Sequence, residues 1–418
     1  MTLRMTPTGV SQDRDQTRAQ HQQQQTQTQT QQNASSPMYT TTTPNPNPNF
    51  TATSTSISEI ASPHPPSSVT LLILGAGWTY QFLHPVLSHH HKVTYAETTT
   101  TGRDGTIPFK FDPDSNSNEQ FKALPQADYV LITFPLKGVG QSAKLVRMYN
   151  ETHAATTTPT ESSTQTSSRT TSATKWIQLG STGIFTAADW NDSSSPIDES
   201  NTRGVAEREL IQVANGCILN LAGLYGANRN PRNWVSRVAK TKDQLAAKGA
   251  VHLIHGEDVA RAVVGVILKD LEQDQEPIQS LPSSSLFGRR WIVADCVSYD
   301  WWSLVWDWMG ESNEPQSDNE TETGRNMAST SGTVETVQTA TASDEQRRQQ
   351  QREDPSKTTT ETDTDTIIKR QYRQWILELM EEHHVRGLPR SIDQLGRKLD
   401  ARDFWKAVGI LPKRSLAR

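Results

Sequence analysis

The sequence is poor in cysteine: 418 residues carry only Cys217 and Cys296. Two cysteines argue against a disulfide framework and against a zinc site, and they fit a reducing, cytosolic setting. No apolar run reaches the ~18 residues of a membrane helix, so no span is expected. The N-terminal region lacks the apolar core of a secretory signal. Its Arg4, Arg14 and Arg18 are interrupted by Asp13 and Asp15, which disfavours a mitochondrial presequence. A basic excess is also missing. Net charge is −5, with 41 Lys and Arg against 46 Asp and Glu, and this points away from nucleic acid and anionic membranes. A small-molecule substrate is the partner class left open, and the sequence does not set an oligomeric state.

Apolar residues are scarce as well, at 33% of the chain. The deficit lies in three tracts: Gln- and Thr-rich 1–67, Thr- and Ser-rich 151–174, and polar 312–366. None can bury enough apolar surface to offset chain entropy, so each is expected to be disordered. What remains is 68–150, 175–311 and 367–418. That suits a dinucleotide-type α/β domain over 68–311 with a smaller helical C-terminal lobe over 367–418.

Within these segments strand and helix patterns alternate. "VTLLIL" (69–74) is a short apolar run ending at glycine, as a buried parallel strand does. Helix-like spacing follows over 77–88. Further strands are expected at 92–96, 106–111, 127–135, 175–183 and 216–221, and a later one at 289–295. Helices are expected at 139–149, 202–214 and 255–270. This rhythm predicts a doubly wound, mostly parallel sheet of the Rossmann type, with the insertions in surface loops. "IIKRQYRQWILELMEEHHV" and "LDARDFWKAVGI" read as helices, and "SYDWWSLVWDWMG" as their apolar partner. Trp301, Trp302, Trp306 and Trp308 are read as core of the C-terminal lobe rather than as a stacking platform.

The first strand runs into Gly75-Ala76-Gly77. Gly75 permits a tight turn, and Gly77 lets backbone approach a pyrophosphate. Trp78 and Thr79 open the helix whose N–H groups and partial positive charge favour an anion. Tyr80 stands where a third glycine is usual. That glycine serves helix–strand packing rather than phosphate contact, so the motif is weakened and not lost. At the end of the second strand, Glu97 is placed to accept hydrogen bonds from ribose hydroxyls and favours NAD. Thr98 to Thr101 and Arg103 follow at once and make a phosphate pocket that favours NADP. The balance tips slightly to NADP. Pro135 and Lys137 end the fourth strand, which borders the cofactor in such folds. Lys137 is either a cofactor or anion contact or simply an exposed side chain.

In their order, "LILGAGWTYQFLHPVL", "WIQLGSTGIF", "RGVAERELI", "NLAGLYGANRNP", "IHGEDVARAVVGVI" and "GLPRSIDQLGRKLDARDFW" resemble the atypical extended short-chain dehydrogenase/reductases. Among these the nearest in pattern are the fungal NAD-dependent epimerase/dehydratase-like Rossmann proteins. The resemblance spans nearly all of the ordered segments. It implies a nicotinamide cofactor, with Ser181 and Thr182 beside the nicotinamide and one of them holding the substrate oxygen. It also implies a Tyr-x-x-x-Lys-x-x-x-Glu register. On this chain that register falls on "ESNTRGVAE", with Glu199 at the tyrosine place and Arg203 at the lysine place. Arg203 can hold ribose or phosphate but cannot give up a proton. Glu199 serves as an acid only if burial raises its pKa. Tyr225 is either a substitute proton donor or an aromatic wall of the cleft. His255 is either catalytic or, with Asp258, the start of a helix. The implied activity is an NAD(P)-dependent oxidoreductase or epimerase acting on a small hydroxyl or carbonyl compound. The alternative is a nucleotide-binding sensor or interaction protein without turnover.

Overall fold

The computed structural model describes residues 67–154, 173–274, 285–310 and 355–416, with side chains left out at 154 and 355–363. Most of the three polar tracts, 1–66, 155–172 and 311–354, lies outside the described residues.

The strands in chain order are β1 (Ser68–Leu74), β2 (Tyr95–Thr99), β3 (Ile107–Pro108), β4 (Gln126–Ile132), β5 (Lys175–Ser181), β6 (Trp190–Asn191), β7 (Cys217–Leu221), β8 (Gly223–Tyr225), β9 (Ala250–Val251), β10 (Leu253–His255), β11 (Arg289–Val293), β12 (Tyr299–Asp300) and β13 (Lys398–Leu399). Seven of them form one sheet in the order β3–β2–β1–β4–β5–β7–β11, every neighbouring pair parallel. This is the doubly wound Rossmann order with a strand added at the far edge, and its switch point lies between β1 and β4. Three two-stranded pairings, β8–β10, β9–β12 and β6–β13, stand apart from it.

The helices are α1 (Tyr80–Ser88), α2 (Glu119–Lys122), α3 (Gln141–Ala154), α4 (Thr202–Ala214), α5 (Val235–Val238), α6 (Lys242–Ala246), α7 (Gly256–Gln273), α8 (Trp301–Trp308), α9 (Pro355–Glu382) and α10 (Arg402–Val408). Alternation along each strand feeds two cores. Leu71, Ile73, Leu131 and Leu219 pack with α1 and α7, whereas Leu72, Leu74, Val130 and Ile218 pack with α3 and α4. Burial on both faces explains why these strands read as continuous apolar runs.

The element boundaries depart from the sequence reading in a few places. The second strand starts at Tyr95 rather than Lys92, and the third shrinks to Ile107–Pro108. Helix α1 starts at Tyr80, because residues 75–79 are used up in the turn. Helix α9 starts at Pro355, ahead of the Ile367 read from its apolar spacing and inside the tract expected to be disordered. Trp301 and Trp302 of α8 are buried with Tyr372, Ile376 and Leu379 of α9, the aromatic packing expected from the sequence. After α10 the chain folds back as a strap. The fully buried Asp258 accepts the Lys413 and Arg414 amides at 2.8 and 2.7 Å. Glu257 pairs with both of their side chains, and the Leu416 amide donates to the Tyr299 hydroxyl at 2.8 Å.

Candidate functional site at the carboxyl edge of the sheet

The turn from β1 to α1 is held from both neighbouring strands. The Gly75 amide donates to Thr98 Oγ1 at 3.0 Å, and the Ala76 amide to the Thr98 carbonyl at 2.6 Å. Thr133, just past β4, donates its hydroxyl to the Gly75 carbonyl at 2.6 Å. Gly75 has φ +97, and a Cβ there would fall 2.6 Å from Thr133 Oγ1, so only glycine fits. Gly77 differs: a Cβ built on it would meet no atom within 4 Å. The backbone therefore borders open space at the point where the motif places a pyrophosphate. The Trp78 and Thr79 amides have no acceptor among the described residues. Free amides at a helix start are what an anion requires. On this geometry Gly75, Gly77, Trp78 and Thr79 fit a dinucleotide.

Tyr80 replaces the third glycine and acquires a role of its own. Its hydroxyl donates to Glu97 Oε1 at 2.8 Å, and burial, reinforced by Glu97, raises its pKa. Beyond Glu97, the Thr99 and Thr106 hydroxyls bond to each other at 2.8 Å, and the Arg103 amide donates to Thr99 Oγ1 at 3.1 Å. The Arg103 side chain is exposed, with only Asp104 at 4.0 Å. Pro135 and Lys137 are exposed beyond β4, and the Lys137 amide donates to Gln141.

At the end of β5, Ser181 and Thr182 are differently committed. Thr182 is buried and donates its hydroxyl to the Leu221 carbonyl at 3.2 Å. Ser181 Oγ accepts the Gly183 amide at 3.2 Å, which leaves its proton to give.

The helix expected to carry the catalytic pair starts later than the register needs. Asn201 caps α4 by accepting the Arg203 and Gly204 amides, so Glu199 lies before the helix. Glu199 is exposed and ion-paired with Arg208, and the burial that would make it an acid is missing. Arg203 is half-buried with its Nε shut from solvent and unpaired, and burial pushes its pKa down while Glu207 opposes. Glu207, one helical turn on, is fully buried. It accepts from Asn220 at 2.8 Å and Arg290 at 3.3 Å, and burial raises its pKa against the pull of those partners. The sequence reading missed this buried network. An i, i+4 Arg–Glu pair on a helix reads as surface unless the facing strand residue, Asn220, is known.

A second group lies on the β8 side of the turn. Trp78 packs edge-on against Phe82 at 4.9 Å, Phe82 against His255 at 5.3 Å, and His255 against Tyr225 at 5.0 Å. His255 Nδ1 accepts the Glu257 amide at 3.1 Å and caps α7, the helix-start role considered for it, while burial lowers its pKa. Asp258 serves the strap instead of the helix start alone. Tyr225 is buried and its hydroxyl has no partner, and burial raises its pKa so that it stays protonated. Arg229, unremarked in "GANRNP", lies over the Trp78 ring at 4.3 Å. No helix among the described residues is long and apolar enough to cross a membrane.

No family model matches the chain. No curated protein matches it either. Solved structures with a similar arrangement are NAD-dependent epimerase/dehydratase and short-chain dehydrogenase/reductase proteins. Yeast methylglyoxal/isovaleraldehyde reductase complexed with NADPH is 11% identical, with a TM-score of 0.39 over 82% of this chain and 94% of that one. UDP-N-acetylglucosamine 4-epimerase from Bacillus cereus is 12% identical, with a TM-score of 0.34 over 56% and 80%. dTDP-glucose 4,6-dehydratase from Bacillus anthracis in complex with NAD is 11% identical, with a TM-score of 0.37 over 62% and 86%. The Rossmann-like fold itself rests on the strand order.

Proposed function

We propose that this chain binds a nicotinamide dinucleotide across the carboxyl edge of its sheet and uses it in oxidation, reduction or epimerisation of a small hydroxyl or carbonyl compound. The observation that carries the reading is the open Gly77 turn with two unclaimed amides beside it. Such a cofactor supplies the hydride chemistry, and the protein supplies binding and orientation. Gly75, Gly77, Trp78 and Thr79 take the pyrophosphate. Pro135 and Lys137 flank the cofactor from the end of β4, and Arg203 adds positive charge from beneath. NADP is the favoured form, because Tyr80 already occupies one Glu97 oxygen while Arg103 stays exposed next to the strand end. Ser181 donates a hydrogen bond to the substrate oxygen, Thr182 shapes the strand end beside it, and Tyr225 supplies the proton.

One observation favours a second reading, dinucleotide binding without turnover. The tyrosine place is held by Glu199, exposed and outside α4. Calorimetric titration with NAD, NADH, NADP and NADPH, followed by a hydride-transfer assay on simple aldehydes and ketones, separates the two. Binding with turnover supports the enzyme, binding without it supports the sensor, and no binding of any form removes both.

A further inference from the structure

Arg397 reaches the end of β5 from the far end of the chain. Its Nη2 donates to the Thr182 carbonyl at 2.5 Å and its Nε to the Phe185 carbonyl at 3.3 Å. The residues after it are fixed by the pairing of β13 with β6. There the Lys398 amide donates to the Asp189 carbonyl at 2.9 Å, and the Asp400 amide to the Asn191 carbonyl at 2.7 Å. Among the described residues no carboxylate pairs with Arg397, and desolvation pulls its pKa down with no acid opposing. Arg290 and Arg390 differ, being paired with Glu207 at 3.3 Å and with Asp300 at 2.6 Å. The charge of Arg397 is spent on two main-chain oxygens.

One of those oxygens belongs to the peptide that faces Ser181. The Thr182 carbonyl and the Gly183 N–H are the two ends of a single planar unit. The carbonyl accepts from Arg397, and the N–H donates to Ser181 Oγ at 3.2 Å. A hydrogen bond received at an amide carbonyl strengthens the one given by its N–H, and a charged donor does so most. The guanidinium thus fixes the peptide plane and sharpens its donation to Ser181 Oγ. A hydroxyl oxygen that accepts a stronger hydrogen bond is in turn a better donor of its own proton. The Ser181 main chain is held without Arg397, by pairing with Leu221 on β7 and by Asn220 Nδ2 on its carbonyl at 3.3 Å.

We propose that Arg397 is a positioning residue, which acts through the Thr182–Gly183 peptide to orient the Ser181 hydroxyl and strengthen its donation to the substrate oxygen. This rests on the proposed function, in which Ser181 makes that bond. It also makes the C-terminal lobe a working part of the reacting centre, because the only contact of Arg397 that matters here is made to a peptide of the Rossmann sheet's own strand end.

The test is steady-state reduction of propanal and butanone by the full chain with NADPH, with NADPH affinity measured by calorimetry. Arg397→Met should lower kcat about tenfold, the loss of one charged hydrogen bond. KM and NADPH affinity should stay within about twofold of the parent, and the melting temperature should hold. Arg397→Lys should restore part of kcat. In a Ser181→Ala background, Arg397→Met should cost nothing further, because the group it acts through is gone. A merely structural arginine would cost the same in both backgrounds. If Arg397→Met melts early, Arg397→Gln makes the same comparison. Equal losses in the two backgrounds, or NADPH affinity that falls with kcat, overturn the role. NADPH binding without turnover in the parent removes the proposed reaction and this role together, whereas turnover with additive losses removes this role alone.

Discussion

The Tyr80 hydroxyl donates a 2.8 Å hydrogen bond to Glu97 Oε1. One residue thereby spans the first turn of α1 and the end of β2, the two elements that flank the adenosine side of a Rossmann cleft. Where a glycine would let the helix press on the sheet, this chain uses a ring and ties it down at its far end. The tie also fixes the orientation of the acid expected to read the ribose.

Removing the Glu97 charge should change which dinucleotide is preferred. A carboxylate close to a 2′-phosphate repels it, and Glu97→Gln ends that repulsion. The NADPH-to-NADH affinity ratio is expected to rise roughly tenfold. Calorimetry with both nucleotides measures it. A ratio that does not move would show that Glu97 does not face the ribose.

The two glycines of the turn should fail in different ways. Gly77→Val adds its side chain to open space, so thermal stability should hold while dinucleotide binding is lost. Gly75→Ala meets both a φ of +97 and the Thr133 hydroxyl, and should cost about 1–3 kcal/mol of stability. Thermal melts and calorimetry on the two variants decide it. Tight binding by Gly77→Val would move the cofactor elsewhere.

Ser181 and Thr182 should separate in the same manner. The Thr182 hydroxyl is spent on the Leu221 carbonyl, so Thr182→Val should destabilise by about 1–2 kcal/mol and cost little turnover. Ser181→Ala removes the available donor and should cost roughly a hundredfold in hydride-transfer rate, within the range for lost proton-handling groups. The opposite ranking of rates would return the substrate oxygen to Thr182.

Asp295 should give the fold a pH signature. Burial pushes its carboxyl up to about 6, against an accepted hydrogen bond from Tyr299 at 2.6 Å. The folded state therefore holds this proton more tightly than the unfolded chain. The contribution is fully present below the unfolded pKa near 4 and is lost as pH rises through about 6. Its size is roughly 3 kcal/mol. Denaturant melts from pH 4 to 8 should show this slope in the parent and not in Asp295→Asn. Equal slopes would mean that Asp295 titrates alike in both states.

The strands and α4 were legible because buried parallel strands and capped helices leave local marks. "VTLLIL" before glycine, and the helical pattern of Thr202–Ala214, needed no tertiary knowledge. The glycine turn between β1 and α1 was legible for the same reason. The Tyr80–Glu97 tie was not, because it joins residues from two elements that meet only in the folded sheet. Arg229 was passed over because a cation in a polar loop looks solvated until its indole partner is seen. Asp258 does lie in the first turn of α7, as read, but its bonds to the Lys413 and Arg414 amides were not legible because those amides lie at the far end of the sequence.

Residues 155–172 lie in the chain between α3 and β5, and residues 275–284 between α7 and β11. Each joins the end of a helix to the beginning of a sheet strand, so their described ends open at the amino edge. Gly77 follows the end of β1 and Ser181 ends β5, both at the opposite edge. The described chain therefore enters and leaves both segments at the edge away from those groups.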